Sequence, residues 1–277
     1  MDGYFYAQSM HSTIETEVPS GFLKIEQAFR SRVPRNVRPD MVDGLGPFVQ
    51  LAENVCRRMG DVEYYAHLVR IELEKKEGTF SAKATSTLLV GFFAACKSVL
   101  DSIAITLARV FRLGIKTLKS EVAPKQMDFA RQGKGSFWSL LASEQNGAFN
   151  RYNKHSGTMG EIIKWRDASI HRVHPLVITT MEKDVATDKY NVKGYELADE
   201  FEGSQGQILD PSTKVKWRDP LYFFYKWRPR LIELCNEACS DIVEQESRRI
   251  IAPSPIEAAI FNARRIEERM GDQDIPR

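Results

Sequence analysis

The chain has 277 residues, 43% hydrophobic and 27% charged, which is ordinary for a globular protein and enough to bury a sizeable core without disulfides or metals. Its 39 Lys and Arg against 37 Asp and Glu leave a formal net charge of +2, which argues against a uniformly basic nucleic-acid binder but leaves room for a clustered positive patch. Four Cys without a tight framework suggest reduced thiols and a cytoplasmic setting, Met1-Asp2-Gly3-Tyr4 lacks the look of a signal peptide, and the apolar region Leu88 to Phe111 is interrupted by Lys97, Asp101 and Arg109, so no membrane span is expected.

Residues 1–39 are expected to form an N-terminal arm with one short helix: 1–20 are polar and weakly patterned, and 21–33 carry helical periodicity. Arg30, Arg32, Arg35 and Arg38 then surround Pro34 and Pro39, giving a basic cluster on an extended connection. The main domain is expected over 40–250 and a C-terminal helix over 251–277. Apolar residues recurring every three or four positions predict helices near 40–59 (Val42, Leu45, Val49, Ala52, Cys56) and 62–77 (Tyr65, Leu68, Val69, Leu73), with Gly44, Gly46 and Pro47 weakening the first. Ser81 is placed to cap a long helix from Ala82 to Phe111, whose broad apolar face (Leu88, Leu89, Phe92, Phe93, Cys96, Val99, Leu100, Ile103, Leu107, Val110) predicts the centre of a bundle. Asp101 on that helix needs a partner, with Arg166 and Arg109 as candidates and a structural ion pair favoured over a role in a cleft.

Gly133-Lys134-Gly135 reads as a loop, a short helix begins at Ser136, and Asn146-Gly147 closes it. A helix is expected over Gly157 to Val173, stopped by Pro175. Residues 176–218 change character: Leu176 to Met181, Tyr190 to Leu197 and Gln207 to Trp217 read as strands of an antiparallel hairpin or meander inserted between helices. Asp219-Pro220 starts a helix that runs to about Ile250, with Pro229 expected to kink or delay it, and Ile256 to Met270 makes a last amphipathic helix.

The chemistry concentrates in Lys164-Trp165-Arg166-Asp167-Ala168-Ser169-Ile170-His171-Arg172. An Arg presents a permanently charged planar fork to a phosphate, and a His titrates near neutral pH. Five residues turn a helix by about 500°, so Arg166 and His171 diverge by about 140° and the long Arg side chain must reach toward the zone before the His. Both precede Pro175, where the negative end of the helix dipole favours a protonated His171.

This Arg-polar-x-x-x-His spacing, behind a long apolar helix, resembles the signature of HEPN domains over residues 80–175. The resemblance implies a mainly α, HEPN-like bundle and metal-independent endoribonuclease chemistry, as a toxin or a defence or stress effector. It implies a homodimer joined through the motif helix, with Arg166 stabilising the phosphorane-like charge, His171 acting as general acid or base, and Asp167 at the polar position that orients a partner. RNA is the expected substrate, an antitoxin or regulatory protein a further partner, and no cofactor or membrane is implied. Many domains of this kind bind rather than cut, so a non-catalytic module for RNA, nucleotide or protein is the alternative.

Two weaker constellations accompany it. His171 and His174 with Cys235 and Cys239 have zinc-compatible spacing, yet nothing in the sequence brings the pairs together and the Cys fit an apolar stripe, so no metal is expected. Trp217 to Arg230 is rich in aromatics and Arg; it reads either as a stacking platform for single-stranded RNA or as a helix burying its aromatic side. Walker, dinucleotide, zinc-protease and nucleophile-elbow motifs are missing from the sequence.

Overall fold

A computed structural model describes residues 20–33, 42, 45–75, 81–113, 137–171, 175, 177–198 and 217–252, with scattered positions between 254 and 264. It is mainly helical: α1 (Ser20–Arg32), α2 (Leu45–Leu73), α3 (Ala82–Val110), α4 (Phe137–Glu144), α5 (Asn146–Asn153), α6 (Ser156–His171) and α7 (Tyr222–Glu246), followed by a 3-10 turn at Ser247–Arg249. Between α6 and α7 lie β1 (Val177–Asp184), β2 (Lys189–Ala198) and β3 (Trp217–Arg218), an antiparallel meander in the order β1-β2-β3. The arm before residue 20 and the expected loop around Gly133 fall outside the described residues, as do most of the expected third strand and Arg35 and Arg38 of the basic cluster.

The helix α3 is the axis of the bundle. Ser81, extended at its N-terminus, accepts the Ala84 N–H on Oγ at 3.2 Å, the cap its sequence position implied. By length and composition α3 could cross a membrane, but α2, α6, α7 and β1 pack against it. Leu89, Phe92, Phe93, Cys96, Val99, Leu100, Ile103 and Leu107 are buried in one core shared with all four neighbours. A second apolar cluster, built from Ile25, Phe29, Phe48, Leu51, Cys239, Ile242 and Ile250, seats α1 between α2 and the end of α7. The Gly21 N–H reinforces that seat by donating to Asn236 Oδ1 at 2.6 Å.

One expected boundary is not there. The two helices foreseen at 40–59 and 62–77 are one continuous helix, α2. Gly60-Asp61 has the look of a break, but burial of Val55, Met59, Val62, Ala66 and Val69 against α3 holds the backbone helical through the glycine, outweighing a propensity cost of about 1 kcal/mol. Pro47 is harmless in the first turn, where its missing N–H has no helical partner to lose. A Cβ at Gly60 meets nothing within 4 Å, whereas one at Gly91 of α3 would lie 2.3 Å from Tyr65 Cε1 of α2. Gly60→Ala is therefore expected to stabilise the protein by ~0.5–1 kcal/mol and Gly91→Ala to destabilise it by ~1–3 kcal/mol, checked by urea unfolding followed by circular dichroism.

Two further expectations are corrected. Asn146-Gly147 does not close the helix before it; α4 ends at Glu144 and Asn146 opens α5, because Ala148 and Tyr152 bury against the core and draw the segment into a new helix. Pro229 does not delay α7, which starts at Tyr222 and runs through it. Proline displaces the carbonyl four residues back, here that of Tyr225, and both residues lie on the exposed side, where water can satisfy it. In the C-terminal segment the described positions from 256 to 264 are helical, those before them are not, and Ile256 and Ile260 are exposed rather than packed.

Candidate active site

The motif helix α6 is fixed by its buried side: Met159, Ile162, Trp165 and Ser169 face inward. Trp165 anchors the motif. Its ring lies 5.3 Å from Phe93 of α3 and 4.3 Å from Phe223 of α7, so two neighbouring helices hold the residue that immediately precedes Arg166. Aromatic contacts at these distances stabilise by ~0.5–1.5 kcal/mol each beyond their burial. The chain leaving α6 is tied back at once: buried Ser86 near the start of α3 donates its hydroxyl to the Pro175 carbonyl at 2.6 Å, and Val177 opens β1 in the same core.

Arg166 is presented outward from this anchor, with its side chain 26% exposed. Its Nη1 donates to Asp167 Oδ1 at 2.8 Å, and the Asp167 side chain is 43% exposed. Asp167 thus holds the guanidinium of its own neighbour. One donor edge of Arg166 is used, and a planar group with five N–H bonds keeps others for an anion. The Arg166 carbonyl accepts the Ser169 hydroxyl at 3.0 Å, trimming the last turn of the helix. His171 is the final residue of α6; its side chain, like Arg172 and His174, lies outside the described residues. The backbone places Arg166 and His171 on the same terminal stretch of α6, at its carbonyl end, as the sequence spacing required. Ile170 between them is 43% exposed, an apolar residue on the surface beside the motif.

Asp101 resolves as a structural pair. It binds Lys97 one turn away on α3, and burial of Lys97 makes that partner obligatory, since an unpaired buried ammonium costs several kcal/mol. Arg109 instead donates to Gln50 Oε1 at 3.2 Å. Cys235 and Cys239 are fully buried free thiols on the core face of α7, where burial pushes the Cys235 thiol up to about 12. Of the aromatic run, Phe223, Phe224 and Trp227 are core residues, so the stacking-platform reading fails for them. Tyr225 is exposed, and Tyr222 is flanked by the Arg218 guanidinium at 4.7 Å and the Lys226 ammonium at 5.6 Å. Arg30 and Arg32 are exposed at the end of α1.

One constellation escaped the sequence reading. Glu233, Glu237 and Asp241, spaced four residues apart, form a ladder on α7 that faces Arg151, Tyr152, Lys154 and His155 around the α5–α6 junction. The ladder was visible as a spacing, but its partners lie about eighty to ninety residues earlier in the chain, beyond any local pattern. No family model matches the chain, and no curated protein or solved structure does either.

Proposed function

We propose that this protein is a metal-independent endoribonuclease of HEPN type, with Arg166 and His171 as its catalytic pair. The observation that carries the reading is the placement of Arg166: one residue after the buried Trp165 of α6, about a quarter exposed, and held by Asp167. Rigid presentation of a cationic fork is what transition-state stabilisation of a phosphoryl group requires. In the reaction, the RNA 2′-OH attacks the adjacent phosphorus while a His171 imidazole takes its proton. The P–O5′ bond breaks, and a protonated His171 supplies the proton to the leaving oxygen. Arg166 bears the charge on the non-bridging oxygens. The products are a 2′,3′-cyclic phosphate and a free 5′-OH.

One His cannot be base and acid in the same step, so the reading assigns the second His171 to another copy of the chain, joined along the ends of the motif helices. Exposed Ile170 beside the pair supplies an apolar contact for such a homodimer. Ile170→Asp is expected to shift the protein to a monomer in light scattering and to lose cleavage with it, while circular dichroism stays unchanged. A toxin or a defence or stress effector, held in check by an antitoxin or regulatory protein, is the setting that fits such an activity, and the cytoplasm is where its RNA would be met.

The test is cleavage of total RNA in EDTA by the wild type, Arg166→Ala and His171→Ala, with folding checked in the same buffer. Cleavage by the wild type alone, leaving cyclic-phosphate ends, supports the reading. No cleavage by folded wild type favours the second reading, a non-catalytic module in which the same surface binds RNA, nucleotide or protein.

A further inference from the structure

His155 sits in the turn between α5 and α6 with its side chain only 1% exposed. Its Nε2 lies 3.3 Å from Glu237 Oε2 and 4.0 Å from Glu233 Oε1. Neither His155 Nε2 nor Glu237 Oε2 makes a hydrogen bond, although both atoms are buried, so the pair is close without being aligned. Two facing orphans of this kind are costly, and native interiors rarely leave them so. The outer edge of the cluster is already cationic: Lys154 Nζ binds Glu233 Oε1 at 2.8 Å and Glu237 Oε1 at 2.6 Å, and Arg230 Nη1 binds Glu233 Oε2 at 3.0 Å. Burial raises the Glu237 carboxyl, but the nearness of His155 and of the Lys154 ammonium outweighs it and holds the group below its usual range; the Lys154 and Arg230 contacts do the same for Glu233.

We propose that His155 Nε2, Glu233 and Glu237 are the protein ligands of a divalent transition cation such as Zn²⁺. One ligand atom from each residue lies within 4.8 Å of the others. Ligands about 2.0–2.1 Å from a tetrahedral metal are separated by about 3.3 Å. The His155–Glu237 distance matches this edge, and Glu233 needs only a small side-chain adjustment. An imidazole with two carboxylates balances the charge of a divalent ion and selects against Mg²⁺ and Ca²⁺, which prefer all-oxygen sets. Three protein ligands leave a fourth position for water. Lys154, half-exposed, is the group that swings out as the metal enters. The cation clamps the α5–α6 turn to α7, and it stands apart from the Arg166–His171 pair. Eleven residues of helical rise separate His155 from Arg166, about 17 Å, so the inference does not depend on the ribonuclease reading.

The experiment is titration of the chelator-stripped full chain with Zn²⁺ by calorimetry, and with Co²⁺ by visible absorption, for wild type, His155→Ala, Glu233→Gln and Lys154→Met. The expected result is one ion per chain with a tetrahedral Co²⁺ spectrum. Each ligand variant should weaken binding at least roughly tenfold, and Lys154→Met should tighten it by removing the competing ammonium. Glu233→Gln changes a partly exposed side chain and serves where His155→Ala fails to fold. Absence of uptake by wild type and Lys154→Met, or uptake that survives both ligand variants, overturns the assignment. Uptake by Lys154→Met alone gives the cleft to the lysine ammonium and overturns it as well.

Discussion

His171→Ala is expected to lower RNA cleavage by roughly 10²–10⁴-fold, the range that a positioned general acid–base contributes. Arg166→Ala should cost a comparable amount, roughly 10²–10³-fold, because it removes charge stabilisation aimed at the transition state. The two losses should not add. If the residues act on one step, the double variant falls only slightly below the worse single one. Arg166→Lys separates charge from geometry: an ammonium keeps the charge and loses the planar fork, so a large residual defect would show that two-point contact matters. Asp167→Ala should do less. Asp167 holds Arg166 through one 2.8 Å hydrogen bond at a half-exposed site, so its removal loosens the guanidinium without deleting it. A defect for Asp167→Ala as deep as that for Arg166→Ala would argue that the carboxylate touches substrate. Equal cleavage by all four single variants and the wild type would remove the motif from the reaction.

The parts of the fold legible in the sequence are those whose signal is local. The apolar face of α3 and its Ser81 cap predict one central helix, Pro175 falls shortly beyond the end of α6, and a β-branched run marks β1. Each rests on periodicity or a terminator within one segment. The misread places are those where tertiary burial overrides a local cue. Gly60 is carried through α2 by its buried neighbours, and Asn146 starts a helix rather than ending one. The β1–β2 turn is built locally: Asp184 accepts the Ala186 N–H at 2.9 Å and the Thr187 hydroxyl at 2.7 Å, and Asp188 takes the left-handed backbone at φ 55°.

The candidate site divides the same way. Arg166, Asp167 and His171 were legible because one helix carries all three. His155 with Glu233 and Glu237 was not, because the cluster exists only once α5 and α6 run back along α7. That alignment is itself continuous. Lys226 and Trp227 meet Glu161, His155 meets Glu237, and Arg151 and Tyr152 meet Asp241, so successive turns of α7 contact successively earlier residues. A polar seam of this length fixes register in a way that an apolar face alone does not.

Trp227→Ala should be the most destabilising single change, by ~3–5 kcal/mol, the usual loss for a fully buried aromatic. Trp227 is wholly buried and stacks on Phe92 with ring planes 7° apart and centroids 6.1 Å apart. It lies 4.7 Å from Phe223 and 5.6 Å from Phe93, and its indole N–H donates to Glu161 Oε2 at 2.7 Å. Truncation therefore opens a cavity among three rings and strips a carboxylate oxygen of its donor. Trp227→Phe keeps most of the volume and removes the donor, so it should cost only ~1–2 kcal/mol. Glu161 retains Lys226 Nζ on its other oxygen at 2.6 Å, which limits that loss. Urea unfolding of both variants separates the packing share from the hydrogen-bond share, and equal losses would show that the bond to Glu161 dominates. The effect should also reach the motif. Phe223 touches both Trp227 and Trp165, so a cavity at Trp227 frees the ring that seats Trp165 and, through it, Arg166. Under conditions where Trp227→Ala remains folded, its cleavage should fall while that of Trp227→Phe stays near wild type. Unchanged cleavage by folded Trp227→Ala would mean that α3 alone, through Phe93, is enough to hold the motif helix in place.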